Sequence, residues 1–190
     1  MADEIVELRA DSSDPLFNKD DMFYKKFPSD YRQVRYFALL LVQQAPHEIK
    51  EVNLLEQQIC ELLRNAIKHG NKNDKNKSVE AWYKFTNTSA HLIIKDEGDG
   101  FKEMERWNEF NKKRSECIRN EDFMELANYV SYRTIDSQLD DGGNALFAAL
   151  EYWDGGIVYS DERNCVAVAK NFAQKRYGVE LDQAKSGTDR

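Results

Sequence analysis

The segment Val52–Ile67 constrains the fold more than any other part of the chain. Val52, Leu55, Ile59, Leu62, Leu63, Ala66 and Ile67 recur every three or four residues and form one apolar stripe. A helix with a single apolar stripe must lay it on another layer, so this chain has to supply a sheet or further helices to cover it. Gly70 and Asn71 provide the stop. Glu61, Asn65 and His69 follow one another at intervals of four on the side away from the stripe.

The covering layer is legible on both sides of that helix. Phe23–Phe27 is a predicted strand ending at Pro28, preceded by a short strand at Ile5–Leu8 and an acidic loop around Asp11–Pro15. Ser29 and Asp30 offer caps for a helix over Tyr31–Gln44, which Ala45-Pro46 terminates. Lys72–Lys77 reads as a loop. Val79–Thr86 and His91–Lys95 form a hairpin across Asn87-Thr88, ending in Asp96-Glu97-Gly98-Asp99-Gly100. One amphipathic piece carries Met104, Trp107 and Phe110, and a second Phe123, Leu126, Ala127 and Val130. After a polar loop at Thr134–Asp141, Gly142-Gly143 opens a helix over Ala145–Tyr152. A second hairpin joins Ile157–Ser160 to Cys165–Ala169. The expected layout is an N-terminal segment (1–20), one domain (21–172) and a polar tail (173–190). Its fold class is an α+β two-layer sandwich, with a mixed, mostly antiparallel sheet and helices on one face.

The net charge of -7 disfavours phosphate backbones and anionic lipid, so neither nucleic acid nor membrane is an expected partner. A small nucleotide remains possible, because local N–H groups and a metal override the global field. MADEIVEL has no basic, then apolar, leader pattern, and no run approaches about 20 apolar residues. Cys60, Cys117 and Cys165 are odd in number with no CxxC pair, which fits a reducing cytoplasm.

Three constellations carry chemistry. On the helix, an Asn65 carbonyl can ligate Mg²⁺, and Glu61 one turn away can take a proton from a hydroxyl. A solvated helix face is the plain alternative. At the hairpin's end, Asp96 can accept from an exocyclic amine while Gly98 and Gly100 admit close backbone approach; a tight turn is the alternative. At Gly142-Gly143-Asn144, a helix start exposes N–H groups to phosphate; a plain loop and cap would read the same. His69 caps a helix end or contacts phosphate, and His47 belongs to a loop or helix start. Arg133 is a weak candidate for a γ-phosphate contact, and Lys68, Lys72, Lys75 and Lys77 make a solvated loop. Trp82, Tyr83, Phe85, Trp107 and Trp153 belong to the core or an interface.

The order and spacing of these pieces resemble the GHKL (Bergerat-fold) ATPase family over about residues 25–170. Glu61-Leu62-Leu63-Arg64-Asn65-Ala66-Ile67-Lys68-His69-Gly70-Asn71 looks most like the N box of its anti-sigma-factor serine kinases. The resemblance implies ATP and Mg²⁺ as cofactors. It makes Glu61 the general base, Asn65 the Mg²⁺ ligand, Asp96 the adenine-binding aspartate with Gly98 and Gly100 in support, and Gly143 with Asn144 the phosphate-binding box. It also implies a homodimer that phosphorylates a small antagonist protein and binds a sigma factor. Two other readings stand beside it: a non-catalytic nucleotide-sensing or protein-binding module, and a stand-alone histidine-kinase-type catalytic domain. The chain departs from the family at Gly143-Asn144-Ala145, where Gly-x-Gly is usual. Alanine is costly there if φ must be positive and harmless in a helix.

Overall fold

The computed structural model describes residues 7–49, 51–132 and 144–172. A five-stranded sheet runs in the order β1-β2-β3-β5-β4, with β1 Phe23–Pro28, β2 Ser78–Phe85, β3 Ser89–Lys95, β4 Gly156–Tyr159 and β5 Cys165–Asn171. Each neighbouring pair is antiparallel, set by registers such as Phe27↔Val79, Ala81↔Ile94, Lys95↔Cys165 and Tyr159↔Val166. Strand alternation sends Val79, Ala81, Tyr83, Leu92, Ile94, Val166 and Val168 to one face, where they meet α1 (Val34–Val42), α2 (Val52–Arg64) and α5 (Ala145–Tyr152) in the main core. The stripe of α2 is the centre of this layer, with Leu55, Ile59, Leu63 and Ile67 fully buried. The two-layer sandwich expected from the sequence is therefore present.

The opposite face of the sheet is covered as well. Ile93, Val158, Cys165 and Ala167 pack with Trp82 beneath Leu16, Phe17 and Met22. The Leu16 carbonyl lies 2.7 Å from His91 Nε2, and Lys19 Nζ sits 3.4 Å above the Trp82 ring. Ahead of this strap, Ala10 forms a single parallel bridge to Tyr159. Among the described residues of the expected first strand, Glu7 and Leu8 are not in a strand. Asn108 explains why: its side chain bonds both backbone groups of Leu8, accepting at 2.9 Å and donating at 2.8 Å, and so replaces a strand partner.

Other elements differ in detail from expectation. Tyr31–Gln33 is a 3-10 turn rather than the first turn of an α-helix, because Asp30 accepts from the Arg32 N–H and tightens the entry. The amphipathic piece after Asp96 is a longer helix, α3 (Met104–Arg119), burying Met104, Trp107, Asn111 and Cys117. The next is a short α4 (Phe123–Leu126) running into a 3-10 turn, Ala127–Tyr129. Trp107, Met104, Tyr132, Phe147 and Leu8 make a second core under α3. Of the aromatics assigned to the interior, Tyr83, Phe85, Trp107 and Trp153 are buried, while Trp82 is half-covered by the strap. The Thr134–Asp141 loop lies outside the described residues.

The end of the long helix is where the two layers are fastened. Past Arg64 the backbone widens into a π-helical turn, Asn65–Gly70, closed by the Asn71 N–H donating to the Ala66 carbonyl at 2.8 Å. Asn71 is fully buried. Its side-chain amide donates to the Ser78 carbonyl (2.9 Å) and its Oδ1 accepts from the Glu97 N–H (2.8 Å). Asn71→Ala would leave both backbone groups without a partner, so we expect a loss of about 2–4 kcal/mol in urea unfolding. Asn76→Ala, in the exposed loop nearby, should cost about 0.5 kcal/mol or less.

Candidate functional site

The site is built around the contact between the π turn and the loop after β3. The Asp96 N–H donates to the Asn164 carbonyl at 2.9 Å, and its Oδ1 accepts from the Gly98 N–H at 2.7 Å. Gly70 lies directly against the carboxyl: a Cβ there would stand 2.3 Å from Asp96 Cγ. A Cβ on Gly98 would come within 2.1 Å of the Gly70 carbonyl oxygen. Both glycines are therefore needed for two backbones to close around one carboxylate. Gly100 has φ +79° and presses on the Glu162 carbonyl, while Phe101 N–H donates to Arg163 at 3.0 Å. The close approaches made by Gly98 and Gly100 are thus internal and shape the loop from beneath.

Burial dominates the electrostatics. It pushes the Asp96 carboxyl up to about 6, only partly offset by the Gly98 N–H and the Lys77 charge. The Tyr159 phenol is raised by burial and further by the charge of Asp96. Lys77 Nζ donates to the Glu97 carbonyl at 2.9 Å, and Glu97 in turn accepts from the Ser78 N–H at 2.8 Å and from its hydroxyl. Among the described residues the carboxylate accepts only from the Gly98 N–H, at Oδ1, which leaves Oδ2 an open acceptor.

Glu61 and Asn65 sit one turn apart on the same helix, both half-buried. Asn65 stands at the first position of the π turn, a geometry that recurs at functional sites. Glu61 Oε1 is engaged by the Arg64 guanidinium at 2.5 Å. His69 is exposed within the π turn, and His47 is exposed in a loop.

A model of the histidine kinase-like ATPase domain matches residues 26–170. The chain belongs to that family. Its domain is accordingly of the ATP-binding GHKL type, and Asp96, Asn65 and Glu61 all fall within the matched span. No curated protein matches the sequence.

The residues present fit an ATP-binding family. The open Oδ2 of Asp96 suits an exocyclic amine. Among the described residues no three His, Cys, Asp or Glu side chains gather closely enough to hold a metal, so a Mg²⁺ held by Asn65 would take its other ligands from phosphate and water. Gly143 lies outside the described residues. Asn144 stands at the N-cap position of α5, exposed, with αR backbone and no side-chain cap bond, and Ala145 is the first helical residue and is not among the positive-φ positions. The helical geometry makes the alanine harmless to the backbone. Asn71, Lys77 and Tyr159 are site-shaping residues that sequence reasoning missed. Asn71 had a signal, since an amide directly after a helix-ending glycine is placed to clamp a neighbouring loop; Lys77 was visible only as one lysine of a basic loop, and Tyr159 had no signal.

The raised Asp96 pKa fixes a pH dependence. The folded state holds the Asp96 proton more tightly than the unfolded chain, whose carboxyl titrates at its ordinary value of 3.8. The contribution to stability is therefore full below that value and is lost as pH rises through about 6. Melting curves of the free protein between pH 4 and 7 should show this loss, and Asp96→Asn should remove that segment of the profile.

Proposed function

We propose that this chain is an ATP-dependent protein serine/threonine kinase of the anti-sigma-factor, partner-switching type. The observation that carries the reading is the closure of Gly70, at the end of the Glu61–Asn65 helix, onto the Asp96 carboxyl. Adenine recognition and phosphate chemistry are thereby tied to one rigid element. At no more than 1.5 Å per residue, Asn65 and Glu61 stand up to about 7.5 Å and about 13.5 Å along the helix from Gly70. A nucleotide with its base at Asp96 would extend its phosphates along this helix.

In this reading the domain spans residues 21–172. Asp96 Oδ2 accepts from the adenine amine, and Gly98 and Gly100 hold the loop that presents it. Asn65 supplies one oxygen ligand to Mg²⁺. Asn144, with Gly143, offers backbone N–H groups at the start of α5 to the phosphates. ATP supplies the transferable phosphoryl group. Glu61 accepts the proton of the attacking serine hydroxyl through the oxygen that Arg64 leaves free. The acceptor is a small antagonist protein, the competing partner a sigma factor, and the working form a homodimer. Cys60, Cys117 and Cys165 are free and buried, in keeping with a reducing cytoplasm.

One observation favours a second reading. The Glu61–Arg64 ion pair occupies the proposed base, as expected of a nucleotide-sensing module without transfer.

Calorimetric titration with ATP and Mg²⁺ tests the pocket: the wild type should bind and Asp96→Asn should lose binding. A folded wild type that fails to bind would sink the proposal. Labelled ATP added with extract of the host cell should give a phosphoprotein stable to acid. Glu61→Gln should slow transfer by about 10²-fold or more while ATP affinity stays within about threefold. ATP binding without any transfer would select the sensing module, and an acid-labile product would select a histidine acceptor.

A further inference from the structure

Outside the nucleotide site, the two most exposed large apolar side chains among the described residues, Met124 and Phe123, are neighbours on the short α4. Met124 is 88% exposed and Phe123 71%, and Val130 and Ile118 flank them at 58% and 47%. A patch of this kind on a soluble surface marks an interaction site.

The turn that presents these residues is tightly built. Glu121 adopts φ +55°, a left-handed backbone that a non-glycine residue enters at a cost. The Asp122 N–H donates to the Cys117 carbonyl at 2.9 Å, and the Asp122 carboxylate accepts from the Glu125 N–H at 3.0 Å. The Leu126 N–H closes the turn on the Asp122 carbonyl at 2.9 Å. Leu126 is half-covered, and Tyr129 turns inward, its ring 5.2 Å from Phe110. The strained backbone thus places Phe123 and Met124 outward. A core-forming turn of this sequence would bury them.

The rim is acidic. Glu116, Glu121, Asp122 and Glu125 are all exposed, and Arg119 is the single base in residues 116–126. The Cys117 thiol is raised by burial and then by Asp122, Glu125 and Glu116, so three of these carboxylates act on one place. Such a rim repels anionic lipid and nucleic acid. Apolar anchors beside these carboxylates are complementary to an amphipathic helix with Leu- or Phe-like residues on one face and Lys or Arg at its flanks. Methionine suits such a surface, because its side chain adapts to the shape of its partner.

We infer that α4 and the end of α3 form a docking surface for a basic amphipathic helix of a protein partner. This surface is separate from the nucleotide pocket and does not rest on phosphotransfer. An aromatic layer nevertheless links its neighbourhood to α5. Tyr129 and Tyr132 meet Phe110 edge-on at 5.2 Å, and Phe110 lies 6.1 Å from Phe147 on α5. A partner on α4 is therefore one aromatic layer from the helix that starts at Asn144.

Fluorescence anisotropy on the full chain tests this with two labelled amphipathic helices of equal apolar face, one Leu/Lys and one Leu/Glu. The Leu/Lys peptide should bind saturably. Phe123→Ser with Met124→Ser should weaken it about tenfold or more, as should Glu121→Lys with Glu125→Lys. Melting temperature and ATP titration should be unchanged in the Phe123/Met124 variant, which separates this surface from the nucleotide pocket. Absence of wild-type binding, equal binding of the Leu/Glu peptide, or undiminished binding by the Phe123/Met124 variant would each overturn the inference. So would a wild-type dimer that this variant dissociates in sedimentation, because the occupant would then be a second copy of the chain.

Discussion

The side chain of Asn71 is the tie on which the arrangement of helix and sheet depends. One buried amide satisfies the carbonyl that opens β2 and the N–H that follows Asp96. One group stands at the first residue of β2 and the other in the loop just past β3, so both lie where the sheet gives way to loop. Without the amide, each would face the interior unpaired, at a cost comparable to a lost hydrogen bond. Asn71 also closes the π turn, so the end of α2 and the loop carrying Asp96 are fixed by one residue. The glycine contacts around Asp96 follow from this closure. Gly70 and Gly98 can approach the carboxyl only because the helix end is held down on the sheet.

The second organising constraint is that both faces of the sheet are apolar. Helices cover one face, while the chain ahead of β1 covers the other through Leu16, Phe17 and Met22. This strap lies wholly ahead of the span shared with the family, 26–170. It reaches further, to Asn108 on α3 and to Tyr159 on β4, so the helix after the Asp96 loop is anchored from outside the shared domain. Arg163 adds a second anchor, pairing with Glu105 at 2.5 and 3.1 Å. That pair is exposed on the Glu105 side and contributes little energy, but it sets orientation.

Much of the fold was legible because its signals are periodic. The apolar stripe of the long helix and the β-preferring runs of β2 and β3 describe surfaces that must be covered; the sheet and helices cover the stripe from Leu55 to Ile67, while Val52 at its start is exposed. The turn at Asp96–Gly100 was legible from its glycines. Other features had no periodic signal. Nothing in Asn65–Gly70 distinguishes i→i+5 from i→i+4 bonding, because Ala66 and Ile67 are buried either way. The length of α3 was hidden by its polar composition, with Lys112 and Lys113 in its middle. The strap could not be read locally, since Leu8 meets Asn108 and Leu16 meets His91 across 100 and 75 residues of sequence. Of the site, residue types and order were readable, while the clamping by Asn71 and the strength of burial at Asp96 depend on tertiary contacts.

The burial of Asp96 bears on function in a way its position alone does not. If its role were only to cap the turn at Gly98, an asparagine or serine would accept the same N–H without an ionisable group in a desolvated place. Aspartate raises the cost of the fold at neutral pH, because its charge is held where it is poorly solvated. It also leaves Oδ2 without a bond from the described residues, beside two glycine backbones. A charged acceptor kept in such a place, partly bonded and walled by residues that cannot be enlarged, is costly to stability and useful to a ligand with an N–H to donate. Perturbed groups of this kind concentrate at functional sites. In a chain of an ATP-binding family, an adenine amine is the ligand group best matched to that acceptor.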